Sequence, residues 1–197
     1  MIEPASTTLA ALEALRPPGS PISVATEEVP ARPGLYAVHG SSQVWSDLGL
    51  GDPPDDRPLY VGKAEKSLAS RDVRTHFSTG STGSSTLRRS LAALLQQHLE
   101  LRARPRNPAK PDHFASFGLE SDGDERLTTW MCGSLRLATW ESPSDVSLDH
   151  IESAVLALLL PPLNLAKVRT TWRPALLSAR AVMAAEARTW ESSDDDD

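Results

Sequence analysis

Two short apolar segments constrain this chain more than any other feature. Gly34-Leu35-Tyr36-Ala37-Val38, opening after Pro33, and Pro58-Leu59-Tyr60-Val61-Gly62 both read as β-strands. Together they carry both tyrosines of the chain. The residues between them are rich in Ser, Gly, Asp and Pro, with Gly51-Asp52-Pro53-Pro54-Asp55-Asp56 at their centre. That stretch reads as a loop, unusually long for a hairpin connection, and such loops are usually functional or mobile. Tyrosine is enriched in strands, so packing alone would account for either residue if nothing else accompanied it.

The remaining pattern alternates helices with one more strand. Ser6, Leu9, Leu12 and Leu15 space a short amphipathic helix that Pro17-Pro18-Gly19 stops, and an irregular stretch follows. Residues 67–77 read as helical. Gly80 to Ser85 break that helix, and Ser85 or Thr86 caps the next, whose apolar face is Leu87, Leu91, Leu94, Leu95 and Leu99. Residues 102–111 are basic and proline-rich and read as a loop. A short helix over 125–131, a strand over 135–140, an apolar helix over 146–160 ending at Pro161-Pro162 and an amphipathic helix over 171–190 complete the chain. The expected fold is α/β (α+β), a small three-stranded, mainly antiparallel sheet flanked by helices.

Charge is unevenly placed. The chain carries −6 overall, yet residues 57–110 hold eleven Lys or Arg against Glu65, Asp72 and Glu100, a net of +8. A basic stretch inside an acidic protein is the footprint of a phosphate-binding face, although a solvated charged surface would look the same without a motif inside it. No apolar run approaches the ~20 residues of a membrane span, and the first residues lack the pattern of a secretory signal, so a cytoplasmic protein is expected. Cys132 stands alone, which excludes an internal disulfide or a multi-cysteine zinc site. His39, His98, His113 and His150 show no zinc-ligand spacing. The tryptophans read as core residues, with Trp45 in the long loop the one candidate for DNA contact.

Gly34-Leu35-Tyr36 followed by Tyr60-Val61-Gly62 resembles the paired signature of the GIY-YIG nucleases. Three further features support the resemblance. Arg71 lies eleven residues after Tyr60 and precedes His76-Phe77. Glu152 sits early in a helix that follows a strand. Asn164 comes twelve residues after Glu152, in Pro161-Pro162-Leu163-Asn164. The resemblance covers residues 33–168, which leaves 1–32 as an N-terminal helix and linker and 169–197 as a C-terminal helix with an acidic tail. Two spacings depart from the family. Tyr36 and Tyr60 are 24 residues apart, as in restriction-type members, and His76 follows Arg71 by five residues rather than four, off the shared helical face. Arg89, near the start of the next helix, is a rival to Arg71.

The resemblance implies an endonuclease hydrolysing DNA phosphodiesters with Mg²⁺ or Mn²⁺. Glu152 would bind the metal, a hard cation that one carboxylate, water and phosphate oxygens can hold; without the family pattern, a helix-start acid favoured by the dipole would be the simpler reading. Tyr36 would take a proton from the attacking water, and Tyr60 would orient water or phosphate. Arg71 would grip the scissile phosphate through its guanidinium fork. Lys63 would stabilise phenolate or phosphate, His76 would assist, and Asn164 would support the site by hydrogen bonding. Lys63, Arg71, Arg74, Arg88, Arg89, Arg102, Arg104 and Arg106 are the expected DNA contacts. A homodimer, with the C-terminal helix as contact, would explain double-strand cutting. The alternatives are a structure-selective repair or mobile-element nuclease, or an inert nucleic-acid-binding protein on the same scaffold.

Overall fold

Residues 34–40 form a strand buried on both faces, and the other elements pack around it. The computed structural model describes residues 4–69, 76–107 and 114–190. Along the chain these form α1 (Pro4–Leu15), β1 (Ser20–Pro21), α2 (Ile22–Glu28), β2 (Gly34–Gly40), α3 (Ser42–Asp47) and β3 (Tyr60–Ala64). Then follow α4 (Thr86–Leu94), β4 (Ala103–Arg104), β5 (Gly118–Leu119), α5 (Ser121–Ser134), β6 (Leu135–Glu141), α6 (Leu148–Leu159) and α7 (Arg173–Arg188). The main sheet runs β1-β6-β2-β3 with every neighbour antiparallel. The α/β class and the antiparallel sheet agree with expectation. The two-residue β1 makes the sheet four-stranded where three strands were expected, because so short a segment has no periodicity to read.

Alternation along β2 divides the interior. Tyr36 and Val38 face a large core shared with α2, α3, α4, α5 and α7, while Leu35 and Ala37 face a smaller one built with α1 and α6. A strand covered by helices on both faces needs apolar side chains at every position, which is why this one reads as a continuous run. Both terminal helices join these cores: Ala11, Leu12 and Leu15 of α1 pack with Ile151 and Val155 of α6, and Leu176, Met183 and Ala187 of α7 with the larger cluster.

Several local expectations are corrected. The long connection after β2 contains α3, capped by Ser41, whose hydroxyl accepts from the Val44 N–H. Trp45 on that helix is 1% exposed and meets the edge of Trp172, so it is a core residue and not a DNA contact. Residues 22–28, read as irregular, form α2. The basic segment after α4 holds β4, paired with β5, and the short helix expected over 125–131 extends over Ser121–Ser134. Of the helix expected over 67–77, residues 70–75 lie outside the described residues.

Arg88 is the clearest correction. It was expected on the DNA-facing surface, but its side chain is fully buried and pairs with Asp124 at 3.1 Å. The cause is helical phase: Arg88 follows the buried Leu87 on the inner side of α4. It donates to Thr82 Oγ1 (3.1 Å), Thr128 Oγ1 (2.9 Å) and the His76 carbonyl (3.2 Å), while Asp124 accepts from the Gly80 N–H and the Thr82 hydroxyl. This pair therefore ties α4, α5 and the Gly80–Ser85 turn into one unit. Removing one partner of a buried pair strands the other charge. Asp124→Ala should accordingly lower stability by about 3–5 kcal/mol, as measured by urea unfolding.

Candidate active site

Antiparallel pairing of β2 with β3 places Tyr36 opposite Gly62 and Val38 opposite Tyr60. Cross-strand partners share a face, so both phenols project to the same side of the sheet, with ring centroids 6.2 Å apart. A Cβ at Gly62 would overlap the Tyr36 ring and hydroxyl, so the phenol can cross the neighbouring strand only because glycine stands there. His76 completes the group, its ring 5.7 Å from Tyr36 and 5.9 Å from Tyr60.

His76 is the hub of a short polar chain. Its Nε2 lies 2.5 Å from the Tyr36 hydroxyl and its Nδ1 2.5 Å from Ser85 Oγ. Ser85 caps α4 by accepting the Arg88 N–H at 3.0 Å. Burial first, and then the Arg88 charge, push the His76 imidazole down to about 4, so it is neutral near pH 7. Burial, followed by the Glu152 carboxylate, pushes the Tyr60 hydroxyl up to about 12, against the pull of its hydrogen bond with Tyr36. Tyr60 thus stays protonated.

The aromatic group lines one wall of a cavity of about 730 Å³ along the outer edge of β3. The wall also includes Gly62, Lys63, Gly80, Ser84, Arg106, Glu152, Asn164 and Lys167. As an edge strand, β3 has backbone groups with no neighbouring strand. Asn164 satisfies them: its Oδ1 accepts the Val61 N–H at 2.9 Å and its Nδ2 donates to the Val61 carbonyl at 2.7 Å. One residue earlier, Leu163 donates to the Leu59 carbonyl at 3.0 Å. The turn after α6 is thereby fastened beside the two tyrosine strands.

Glu152 faces the cavity from α6, its side chain 12% exposed, and Lys167 Nζ lies 2.7 Å from its Oε2. Asp149, one helical turn earlier, accepts from Lys167 at 2.8 Å and from Lys63 at 2.9 Å. Those two ammonium groups, Lys167 before Lys63, hold the Asp149 carboxyl down to about 2. Lys63 also pairs with Glu65 at 3.0 Å, and together these bonds raise its ammonium above the ordinary lysine range. Among the described residues no group of three or more His, Cys, Asp and Glu converges as a metal site. Among the described residues lining the cavity, Glu152 is the one carboxylate. Hard oxygen chemistry of that kind fits a divalent ion whose other ligands are water and phosphate oxygens.

The structure brings Tyr36, Tyr60, Lys63, His76, Glu152 and Asn164 to this one cavity. Arg71 and Arg74 lie outside the described residues. The rival Arg89 does not line the cavity. Its two terminal guanidinium nitrogens donate to the Gly83 carbonyl (2.7 Å), the Thr82 carbonyl (3.3 Å) and Thr86 Oγ1 (3.3 Å). Burial, and then repulsion from Arg180 and Arg106, bring Arg89 down to about 10. Arg102 pairs with Glu186 at 3.1 Å, and Arg104 donates to the Leu119 carbonyl at 2.7 Å. Arg106, which donates to Ser84 Oγ at 3.1 Å, does reach the cavity. Sequence reasoning missed Ser85 as the partner of His76, and it missed Asp149 and Lys167 altogether. Asp149 carried a signal, since it lies three residues before Glu152 and so shares its helical face. Lys167 carried none.

A family model of the GIY-YIG catalytic domain matches residues 54–181. The chain belongs to that family, whose members are usually nucleases acting on DNA. The match begins after Tyr36 and runs into α7, and the structure supplies the Tyr36–Gly62 pairing that links β2 to the matched part. No curated protein and no solved structure matches the chain.

The depressed His76 value has a consequence for stability. Its unfolded pKa is about 6.5, so the unfolded chain binds the extra proton first as pH falls. This contribution to stability is complete above about pH 6.5 and is lost as pH drops towards 4. NMR titration should find the His76 ring neutral at pH 5.5, and a midpoint near 6.5 would refute the assignment.

Proposed function

We propose that the protein is a metal-dependent DNA endonuclease of the restriction or defence type. The observation that carries this reading is the convergence of Tyr36, Tyr60, His76 and Glu152 on one cavity. The 24-residue separation of the two tyrosines favours the restriction type. The nuclease unit is read as residues 33–168, with the flanking helices as supports.

In this reading Tyr36 is the base that takes the proton from the attacking water. Its phenol, with an ordinary pKa near 10, needs help to ionise. Transferring its proton to His76 is unfavourable, because burial holds that imidazole down to about 4. His76 therefore acts as a donor: Ser85 donates to Nδ1, Nε2 carries the proton, and the Nε2–H bond stabilises the Tyr36 phenolate. Tyr60, held protonated by burial and by Glu152, donates to water or to a phosphate oxygen. Glu152 would hold Mg²⁺ or Mn²⁺, which supplies charge stabilisation and a polarised oxygen when bound. Lys63 and Arg106 face the cavity and bind the DNA backbone, together with Arg71, the assigned grip on the scissile phosphate, and Arg74. Asn164 holds the strand edge in place. Two copies acting together would cut both strands, with α7 as the contact.

Incubation of supercoiled plasmid with Mg²⁺ or Mn²⁺ should yield cleavage that Glu152→Ala reduces at least 100-fold. Discrete fragments mark a restriction enzyme, cutting confined to branched DNA marks a repair nuclease, and no cleavage of any DNA overturns the reading. Tyr36→Phe should abolish cutting while DNA affinity, followed by fluorescence anisotropy, stays within about twofold. Arg106→Gln should weaken that affinity and reduce the slope of log K against log salt by about one phosphate contact, roughly 0.9.

A further inference from the structure

Lys167 is one of three described non-glycine residues with positive φ, at 62°. That conformation is unfavourable for a residue with a Cβ and persists where the surroundings impose it, often at functional sites. Here the turn is pinned three residues earlier by Asn164, and the side chain is held by charge. Its Nζ contacts Glu152 Oε2 at 2.7 Å, Asp149 Oδ1 at 2.8 Å and Ser153 Oγ at 3.2 Å. Asp149 and Glu152 lie side by side on α6, so a single ammonium spans both.

The two carboxylates are not equivalent. Asp149 has a second cation, Lys63, at 2.9 Å and is largely exposed, whereas Glu152 is 12% exposed and, among the described residues, forms its ion pair with Lys167. A divalent ion bound to Glu152 would share a carboxylate with an ammonium at hydrogen-bond distance. With the Glu152 side chain 12% exposed and that of Lys167 37% exposed, water screens that repulsion only in part. Lys167 must then give up Glu152. Asp149 is already within reach, so side-chain rotation suffices to leave the ammonium paired.

We infer that Lys167 is a resident cation that competes with the divalent metal ion for Glu152, with Asp149 as the seat to which it withdraws. Building on the metal-dependent reading above, this makes Lys167 a positioning residue. It keeps the Glu152 carboxylate paired and aimed into the cavity before the metal arrives, and sets how tightly the metal binds.

The test is Mn²⁺ binding to the full chain without DNA, by isothermal titration calorimetry and Mn²⁺ electron paramagnetic resonance. Lys167→Met should tighten binding about tenfold, and Lys167→Gly, which also suits the positive φ, should do the same. Lys167→Arg, which keeps a cation, should stay within about threefold of wild type. Lys63→Met removes an equal charge that contacts Asp149 and Glu65 but not Glu152, and should tighten binding much less. If Lys63→Met matches Lys167→Met, the effect is general electrostatics and the competition is overturned. It is equally overturned if neither Lys167→Met nor Lys167→Gly tightens binding while Glu152→Gln abolishes it, an outcome that leaves the nuclease reading standing. Binding that survives Glu152→Gln would remove both the competition and the Glu152 metal seat.

Discussion

The register between β2 and β3 is the constraint on which the site depends. With Tyr36 opposite Gly62 and Val38 opposite Tyr60, both phenols fall on one face and the glycine gives one of them room to cross. A slip of one residue would send each tyrosine to the opposite face, away from His76. The register is secured because β2 is buried on both sides: a slip would also move Leu35 and Ala37 out of one core and Val38 out of the other. Hydrophobic packing therefore sets the position of the polar site.

Around that pair, the polar groups divide into those that hold and those that are held. Arg88 and Asp124 are buried and spend their capacity on the Gly80–Ser85 turn, α5 and the His76 carbonyl. Ser85, at the end of the same turn, meets the far side of the His76 ring. Asn164 closes the open edge of β3 in the place of a missing strand. Each of these groups satisfies backbone or ring atoms that would otherwise be buried unpaired, and each thereby restricts where the cavity-facing side chains can sit.

Electrostatically, the cavity is more balanced than the +8 stretch of sequence implies. Arg88 is buried, Arg89 serves backbone carbonyls, Arg102 is paired with Glu186, and Lys63 is neutralised by Asp149 and Glu65. Charge counted along the chain takes no account of acids arriving from α6 or α7. Among the described residues, the cationic character left at the cavity comes from Arg106 and from ammonium groups held by carboxylates, which an incoming phosphate can recruit.

The sequence by itself determined much of this protein. Glycine and proline punctuation with apolar runs marked β2, β3 and β6, leucine spacing marked α4, and Pro161-Pro162 marked the end of α6. The family signature singled out Tyr36, Tyr60, Glu152 and Asn164, which meet at one cavity. These features are local, set by periodicity and by residue types that few other positions tolerate. Only the tertiary structure decided that Arg88 faces inward, that Trp45 is core, that a two-residue strand extends the sheet, and that Lys167 sits on Glu152. Those outcomes depend on contacts between segments far apart in the chain: Arg88 with Asp124, Trp45 with Trp172, Ser20 with Leu137, Lys167 with Glu152. A side chain's partner across the fold leaves no period in the sequence, and the free energy that selects it exists only once the segments have packed.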